Sequence, residues 1–311
     1  MSEHNRRRFI HTLGQGALVT GAGVMGLGIL GPLEVLAAGK SRVVVVKGKD
    51  PEKMLRAAMK VFRGMGGLVK GKKVILKPNM SFKNPSAWGN NTSPEVAQAV
   101  ARLCVEAGAA SIDAVDHTMG TRGRSIKACG VGPALEKVKG VKVFSAHKKS
   151  DYVKKRIPKG KQLKTTHIPR VVAAGQVLIN VPVAKQHNAT KVSFGMKNLM
   201  GLVWDRRYFH EMINLHQGIA DLATLLRPRL TVIDATRVLV NNGPQGPGKV
   251  QTLNTLIVST DPVAADVVAL GLTQWNNQSL SLRDIEHIRA AGVLGLGESD
   301  AKKIKIVKKR A

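Results

Sequence analysis

Short, continuous apolar runs recur along this chain, and most are followed by a segment of helical period. The runs are "RVVVVKG" (42–48), "KKVILKPN" (72–79), "SIDAVDH" (111–117), "GVKVFSAH" (140–147), "QVLINVPVAK" (176–185), "LTVIDA" (230–235), "TLIVST" (255–260) and "KIKIVKK" (303–309). A run that is apolar throughout, instead of at every second residue, suits a strand covered on both faces. Helix patterns fall between the runs, at Pro51–Phe62, from the Ser93-Pro94 start to about Ala107, near 208–226 and at about 262–273. Such alternation predicts an α/β fold, with a mostly parallel sheet and helices on both faces. The 311 residues show no internal repeat and no clear linker, so residues 38–311 read as a single domain.

One segment interrupts the pattern. Between Lys148 and Arg170 stand nine Lys or Arg and one acid, with "YVKKRI" and "QLKTTHI" on either side of "PKGK". This reads as a basic β-hairpin or small lobe. Lysines on such an edge commonly block edge-to-edge pairing.

The first 37 residues read as an export signal. "NRRRFIH" (5–11) places paired arginines ahead of Phe9 and Ile10. A glycine-rich apolar run follows from Leu13 to Leu33, and "VLA" (35–37) offers a small-residue cleavage site. The pattern resembles a twin-arginine signal, cleaved near Ala37. It implies the twin-arginine translocation machinery as a partner and a periplasmic mature protein, exported folded.

Composition limits the function classes. Formal net charge is +29, which attracts anions without specifying a fold. Aromatic residues make up only 4% of the chain, too few for base stacking, and an exported protein meets little nucleic acid, so none is expected as partner. Cys104 and Cys129 are the two cysteines. They form no C-x-x-C motif and are too few to hold an iron–sulfur cluster unaided. Cys104 lies within the apolar helical pattern "VARLCVEAG" and reads as a small buried hydrophobe; a bridge to Cys129 stays open.

Two motif matches mislead. "GAGVMG" (21–26) fits a dinucleotide fingerprint but lies in the export signal and follows no strand. "GPQGPGK" (243–249) fits phosphate-loop spacing. However, Val250 stands where Ser or Thr should bind magnesium, and Pro244 and Pro247 remove two backbone donors. It reads as a tight loop.

In open α/β sheets, ligands bind beyond the carboxyl ends of the strands. The residues found there are Lys77 and Asn79, Asp116 and His117, Lys185 and His187, Asp234, and Asp261. "VAKQHNATKVSFGMKNLMG" (183–201) adds Lys191, Lys197 and Asn198 among small and apolar residues, unlike a solvated charge run. Lysines directly after buried strands suit a carboxylate or phosphate. Lys185, His187 and His210 are the candidate catalytic residues. Lys77, Asn79, Lys197, Asn198, Asp234 and Asp261 are the candidate binding residues. On the helix after Tyr208, Met212, Leu215, Ile219, Leu222 and Leu226 predict a core face. His210, Asn214, Gln217 and Asp221 predict a solvent face, with His210 turned back toward the site. His187 and His210 could share a metal, although no H-x-x-x-H or H-E-x-x-H spacing supports one.

Taken in series, these motifs resemble the family called domain of unknown function 362, from about Val43 to Lys308. They are "VILKPN" (74–79), "SPEVAQAVARLCVEAGA" (93–109), "VPVAKQHNATKVSFGMKNLMG" (181–201), His210, "IADL" (219–222), "VIDA" (232–235) with "GPQGPG" (243–248), and "DPVAAD" (261–266), which also singles out Asp266. The resemblance implies an α/β fold and a site at the strand ends. Some members of the family carry a ferredoxin-like segment; this chain lacks the cysteines for one.

The resulting expectation is an exported α/β protein that binds an anionic small molecule or cofactor of unknown identity, as an enzyme moving a proton beside a carboxylate. The alternatives are a cofactor-binding or redox-accessory protein with a redox partner, and a polyanion binder.

Overall fold

The computed structural model describes residues 41–119 and 123–311. The expected export signal lies outside the described residues. Among the described residues there are twelve strands: β1 (Arg42–Lys47), β2 (Lys73–Pro78), β3 (Ser111–Asp116), β4 (Val141–Ser145), β5 (Tyr152–Arg156), β6 (Thr165–Pro169), β7 (Val177–Val181), β8 (Val183–His187), β9 (Lys191–Ser193), β10 (Leu230–Leu239), β11 (Val250–Ser259) and β12 (Lys305–Arg310). The large sheet runs β12-β1-β11-β10-β7-β2-β3-β4, with β8 and β9 attached beside β10. β5 and β6 form a separate antiparallel pair, the basic hairpin expected from residues 148–170.

Eleven helices accompany the described strands: α1 (Pro51–Val61), α2 (Gly66–Val69), α3 (Pro94–Glu106), α4 (Arg124–Ala128), α5 (Val131–Glu136), α6 (Arg170–Ala173), α7 (Gly195–Asn198), α8 (Arg206–Glu211), α9 (Leu215–Leu225), α10 (Pro262–Leu270) and α11 (Glu286–Val293). The fold is α/β with a mixed, mostly parallel sheet. Successive strand residues point to opposite faces. Val44, Val46, Val74 and Leu76 therefore join one core with Met54, Leu55, Val96 and Val100 from α1 and α3. Val43, Ile75 and Ile257 join the other, with Ile219, Leu222, Ala264 and Ile288 from α9, α10 and α11. Two cores on one sheet explain why the strands read as unbroken apolar runs.

Three local departures from the sequence reading matter for the site. First, β11 runs antiparallel to both β1 and β10, so its carboxyl end lies beside the amino ends of its neighbours. Second, the run 176–185 is two strands. Pro182 separates β7 from β8, and β8 turns away to pair with β10 and to form a hairpin with β9. Third, the stretch 208–226 is two helices, separated before Asn214, whose side chain caps α9 by accepting from the Gln217 N–H at 2.9 Å. Met212 then lies outside the core and is 69% exposed. Asp221, expected on the solvent face, is buried. It accepts from the N–H groups of Gln162 and Leu163 and so anchors the basic hairpin to α9.

Cys104 and Cys129 are free, buried thiols, pushed up by desolvation to about 12 and about 11. Among the described residues, no helix is long and apolar enough to cross a membrane.

Candidate functional site

Beyond the carboxyl end of the parallel strands lies a cavity of about 840 Å³. Its walls come from the loop after β2, from β8, from the α7–α8 segment and from the loop between β10 and β11. Asn79, Lys185, His187, Lys197, Asn198 and His210, all singled out in the sequence, line it together.

β8 supplies two of these through strand alternation. Lys185 and His187 lie on one side and reach the cavity. Gln186 lies on the other and takes the Gly243 N–H on its Oε1. The Lys185 ammonium is almost fully buried, with 2% of the residue exposed. Its Nζ donates to the Asn90 carbonyl at 2.6 Å and to Asn79 Oδ1 at 3.4 Å, and lies 4.9 Å from the Phe82 ring centre. Desolvation, opposed by Asp116 and reinforced by Lys197 and Lys77, lowers it to about 7.

Lys197 and Asn198 arrive on α7, a single turn held from below. Asp266 accepts the Gly195 N–H at 2.8 Å and the Met196 N–H at 2.9 Å, satisfying two donors at the start of that turn. A Cβ at position 195 would lie 2.8 Å from Asp266 Oδ1, so glycine permits the approach. Burial raises Asp266 to about 7. Lys197 is lowered to about 8, by desolvation first and then by Arg206.

His187 is lowered to about 2, mainly by desolvation and then by Lys197, Lys185, His210 and His287. The ring is therefore neutral. Its Nδ1 accepts the Ala189 N–H at 3.1 Å, which assigns its own proton to Nε2. In this tautomer His187 offers the cavity a neutral N–H donor, not a base. His210, more exposed at the rim, is lowered by desolvation, Lys197 and Arg206 and keeps the capacity to take a proton.

Lys77 occupies a different position from the one its place after β2 suggests. It is fully buried beneath the site. Its Nζ meets Asp116 Oδ1 at 3.1 Å, the Pro78 carbonyl at 2.6 Å and Asn198 Oδ1 at 3.3 Å. The Asn79 Nδ2 donates to the same Asn198 oxygen at 3.1 Å, which links the two buried lysines through an asparagine pair. Asp116 Oδ2 also accepts the Met80 N–H at 2.7 Å. Burial pushes Lys77 down and Asp116 opposes the shift.

Other sequence candidates fall elsewhere. Asp234 accepts from the Ser93 N–H at 2.7 Å and from Thr236, pinning the start of α3. Asp261 lies at the opposite edge of the sheet because β11 is antiparallel. There it caps α10 and accepts from Ser41 and from the Glu298 N–H. Lys191 opens β9, exposed and paired with Asp284 at 3.5 Å. Among the described residues no group of three or more His, Cys, Asp or Glu is arranged to hold a metal ion.

Sequence reasoning missed Arg206. It opens α8, lines the cavity, and donates to the His117 carbonyl at 2.9 Å and the Thr118 carbonyl at 3.3 Å. A charged residue at a helix start gave no signal, since its role depends on where β3 ends. The "GPQGPGK" loop was also undervalued. Pro244 and Gln245 form part of the wall, and the Gln245 carbonyl takes the side-chain N–H groups of Asn84 and Asn90 at 2.9 and 2.5 Å. The Asn-rich stretch 80–93, which reads as an open loop, is stitched down in the same way. Asn90, Asn91 and Thr92 are all buried.

The profile of the family described as domain of unknown function (DUF362) matches residues 74–271, a span that contains every cavity-lining side chain. The chain is 26% identical over 230 residues to a thylakoid-associated protein of Synechocystis sp., covering 71% of this chain and 69% of that one. Among solved structures, the lactate racemase apoprotein from Thermoanaerobacterium thermosaccharolyticum aligns at 13% identity with a TM-score of 0.48, over 70% of this chain and 54% of that chain. A Thermotoga maritima protein aligns at 12% identity and 0.45, over 71% of this chain and 59% of that one. This chain therefore spans little more than half the length of either structure. The match of residues 74–271 covers well over half of the chain, and the chain belongs to the domain of unknown function 362 family.

Proposed function

We propose that this chain is an exported enzyme that binds a small organic anion in the cavity and moves a proton at the carbon beside its carboxylate. One observation carries the reading. Lys185, Lys197 and Arg206 face one cavity, and none of them forms an ion pair with a carboxylate among the described residues. Asp205 and Glu211 also border the cavity, but Asp205 caps α8 by accepting the Tyr208 N–H and Glu211 pairs with Arg207. Buried cations without counter-charges are costly, and a bound anion supplies the missing charge.

In this reading Lys197 and Arg206 hold the carboxylate and Lys185 lies against the reacting centre. His187 donates its Nε2–H to oxygen as charge develops there, and His210 takes or returns the proton. The periplasm is the proposed location, reached through the twin-arginine route suggested by Arg6 and Arg7.

The test is calorimetric titration of the mature protein with oxalate and with phosphate at pH 7, in two buffers of different ionisation enthalpy. Binding with net proton uptake is expected, because an anion beside Lys185 and Lys197 raises both toward ordinary lysine values. Binding should weaken by about tenfold or more in Lys197→Met. No detectable binding of either anion at millimolar concentration would sink the proposal.

A further inference from the structure

Lys77 and Lys185 differ in how their nitrogens are satisfied. An ammonium has three hydrogens to place. The Lys77 nitrogen donates to the Pro78 carbonyl and Asn198 Oδ1 and is ion-paired with Asp116 Oδ1 at 3.1 Å. A carboxylate therefore shares its burial. The Lys185 nitrogen has two acceptors, both uncharged: the Asn90 carbonyl and Asn79 Oδ1. A neutral amine has two hydrogens and one lone pair. The two acceptors suffice for the two hydrogens; the remaining neighbour is the Phe82 ring, 4.9 Å from the nitrogen, and no carboxylate pairs with it.

That nitrogen lines the cavity, under the Phe82 ring and beside the anion-holding pair Lys197 and Arg206. A desolvated lysine next to other cations is the standard means of presenting a nucleophilic amine at neutral pH. Desolvation first, then Lys197 in the cavity and Lys77 below it, favour the free amine, and Asp116 opposes it. Such an amine adds to an aldehyde or ketone, and the flanking cations require that compound to be anionic.

We infer that Lys185 is an imine-forming lysine, and that the cavity takes a small carbonyl compound bearing a carboxylate beside the carbonyl. The inference rests on the anion site proposed above and names its substrate class. In the reaction the Lys185 lone pair attacks the carbonyl carbon and the carbonyl oxygen takes a proton. That proton is one of the two amine hydrogens; the second leaves with the hydroxyl as one water, and the imine nitrogen then takes up one proton from its surroundings to become an iminium. No oxidant or reductant takes part. The proton donor at hand is the Lys197 ammonium, and the His187 Nε2–H stands ready to donate a hydrogen bond to the oxygen of the carbinolamine. The iminium then withdraws electrons from the next carbon and acidifies the C–H there.

The experiment is reductive trapping. Mature protein at pH 7 is mixed with substoichiometric glyoxylate, quenched with borohydride, digested and mapped by peptide mass spectrometry. A single reduced adduct on Lys185 is expected, formed on the order of tenfold faster than on any exposed lysine. Excess oxalate should suppress it, and Lys185→Arg, which keeps the charge and cannot form the imine, should abolish it. The mapping is read on the wild-type chain, so it does not depend on the folding of the variant. Adducts spread over exposed lysines, with Lys185 unmodified while oxalate still binds by calorimetry, overturn the imine and leave the anion site standing. Failure of both glyoxylate trapping and oxalate binding overturns both.

Discussion

Lys77 and Lys185 stand at comparable places in the chain, each at a strand end of the parallel sheet, and the fold puts them to different uses. Lys77 is sealed below the cavity with Asp116, the Pro78 carbonyl and Asn198. Lys185 borders the cavity with neutral partners alone. The two are joined through Asn79 and Asn198. Burial by itself therefore does not make a lysine structural or reactive. The deciding factor is whether a carboxylate shares the burial.

Removing each partner separates the two roles. Lys77→Met leaves Asp116 buried without its cation and should cost about 3–5 kcal/mol in urea unfolding. Lys185→Met should stay within about 1 kcal/mol of wild type, because no carboxylate loses a partner, yet should weaken oxalate binding. Equal losses of stability in the two variants would erase the distinction.

The pH dependence sharpens it. Lys185 and Lys197 are lowered in the folded state to about 7 and about 8. The unfolded chain therefore binds more protons than the folded one from there up to ordinary lysine values. Stability should rise with pH across that window, by at most about 1.4 kcal/mol per unit for each lysine. Lys185→Met should flatten the rise that begins near pH 7. On the acid side, His187 and His287 are lowered to about 2 and about 3. Both must charge on unfolding, so stability should fall as pH drops below the ordinary histidine value of roughly 6.5.

Gly201 tests the tightness of the sealed pair. A Cβ there would run into Asp116 Oδ1 and lie 2.8 Å from Lys77 Nζ. Gly201→Ala should cost about 1–3 kcal/mol, with oxalate affinity falling only if Asn198 is displaced with it. The smallest effect belongs to Lys191, the exposed lysine of the same stretch. Lys191→Ala should change stability by less than about 1 kcal/mol and leave anion binding unchanged.

Much of the site was legible because strand ends in a parallel sheet share one edge. Asn79, Lys185 and His187 were marked by that logic, Lys197, Asn198 and His210 by the stretch beyond the strand and the family resemblance, and all six line the cavity. The same logic misplaced Asp261, because direction cannot be read from an apolar run and β11 is the strand that reverses. It could not separate Lys77 from Lys185, since Asp116 comes from another strand. Arg206 and Gln245 carry no local mark at all. They enter the wall through hydrogen bonds to segments about 90 and 155–160 residues away.

The sequence by itself determined the α/β class, the two-faced burial of the strands and the edge on which polar residues collect, since these follow from periodicities of two and 3.6. Tertiary structure decided the direction of β11, the turn of β8 away from β7, and which buried lysine met a carboxylate. Those outcomes depend on contacts between residues distant in the chain. They set the local desolvation and charge that pair one buried lysine with a carboxylate and leave the other, lowered to about 7, without one.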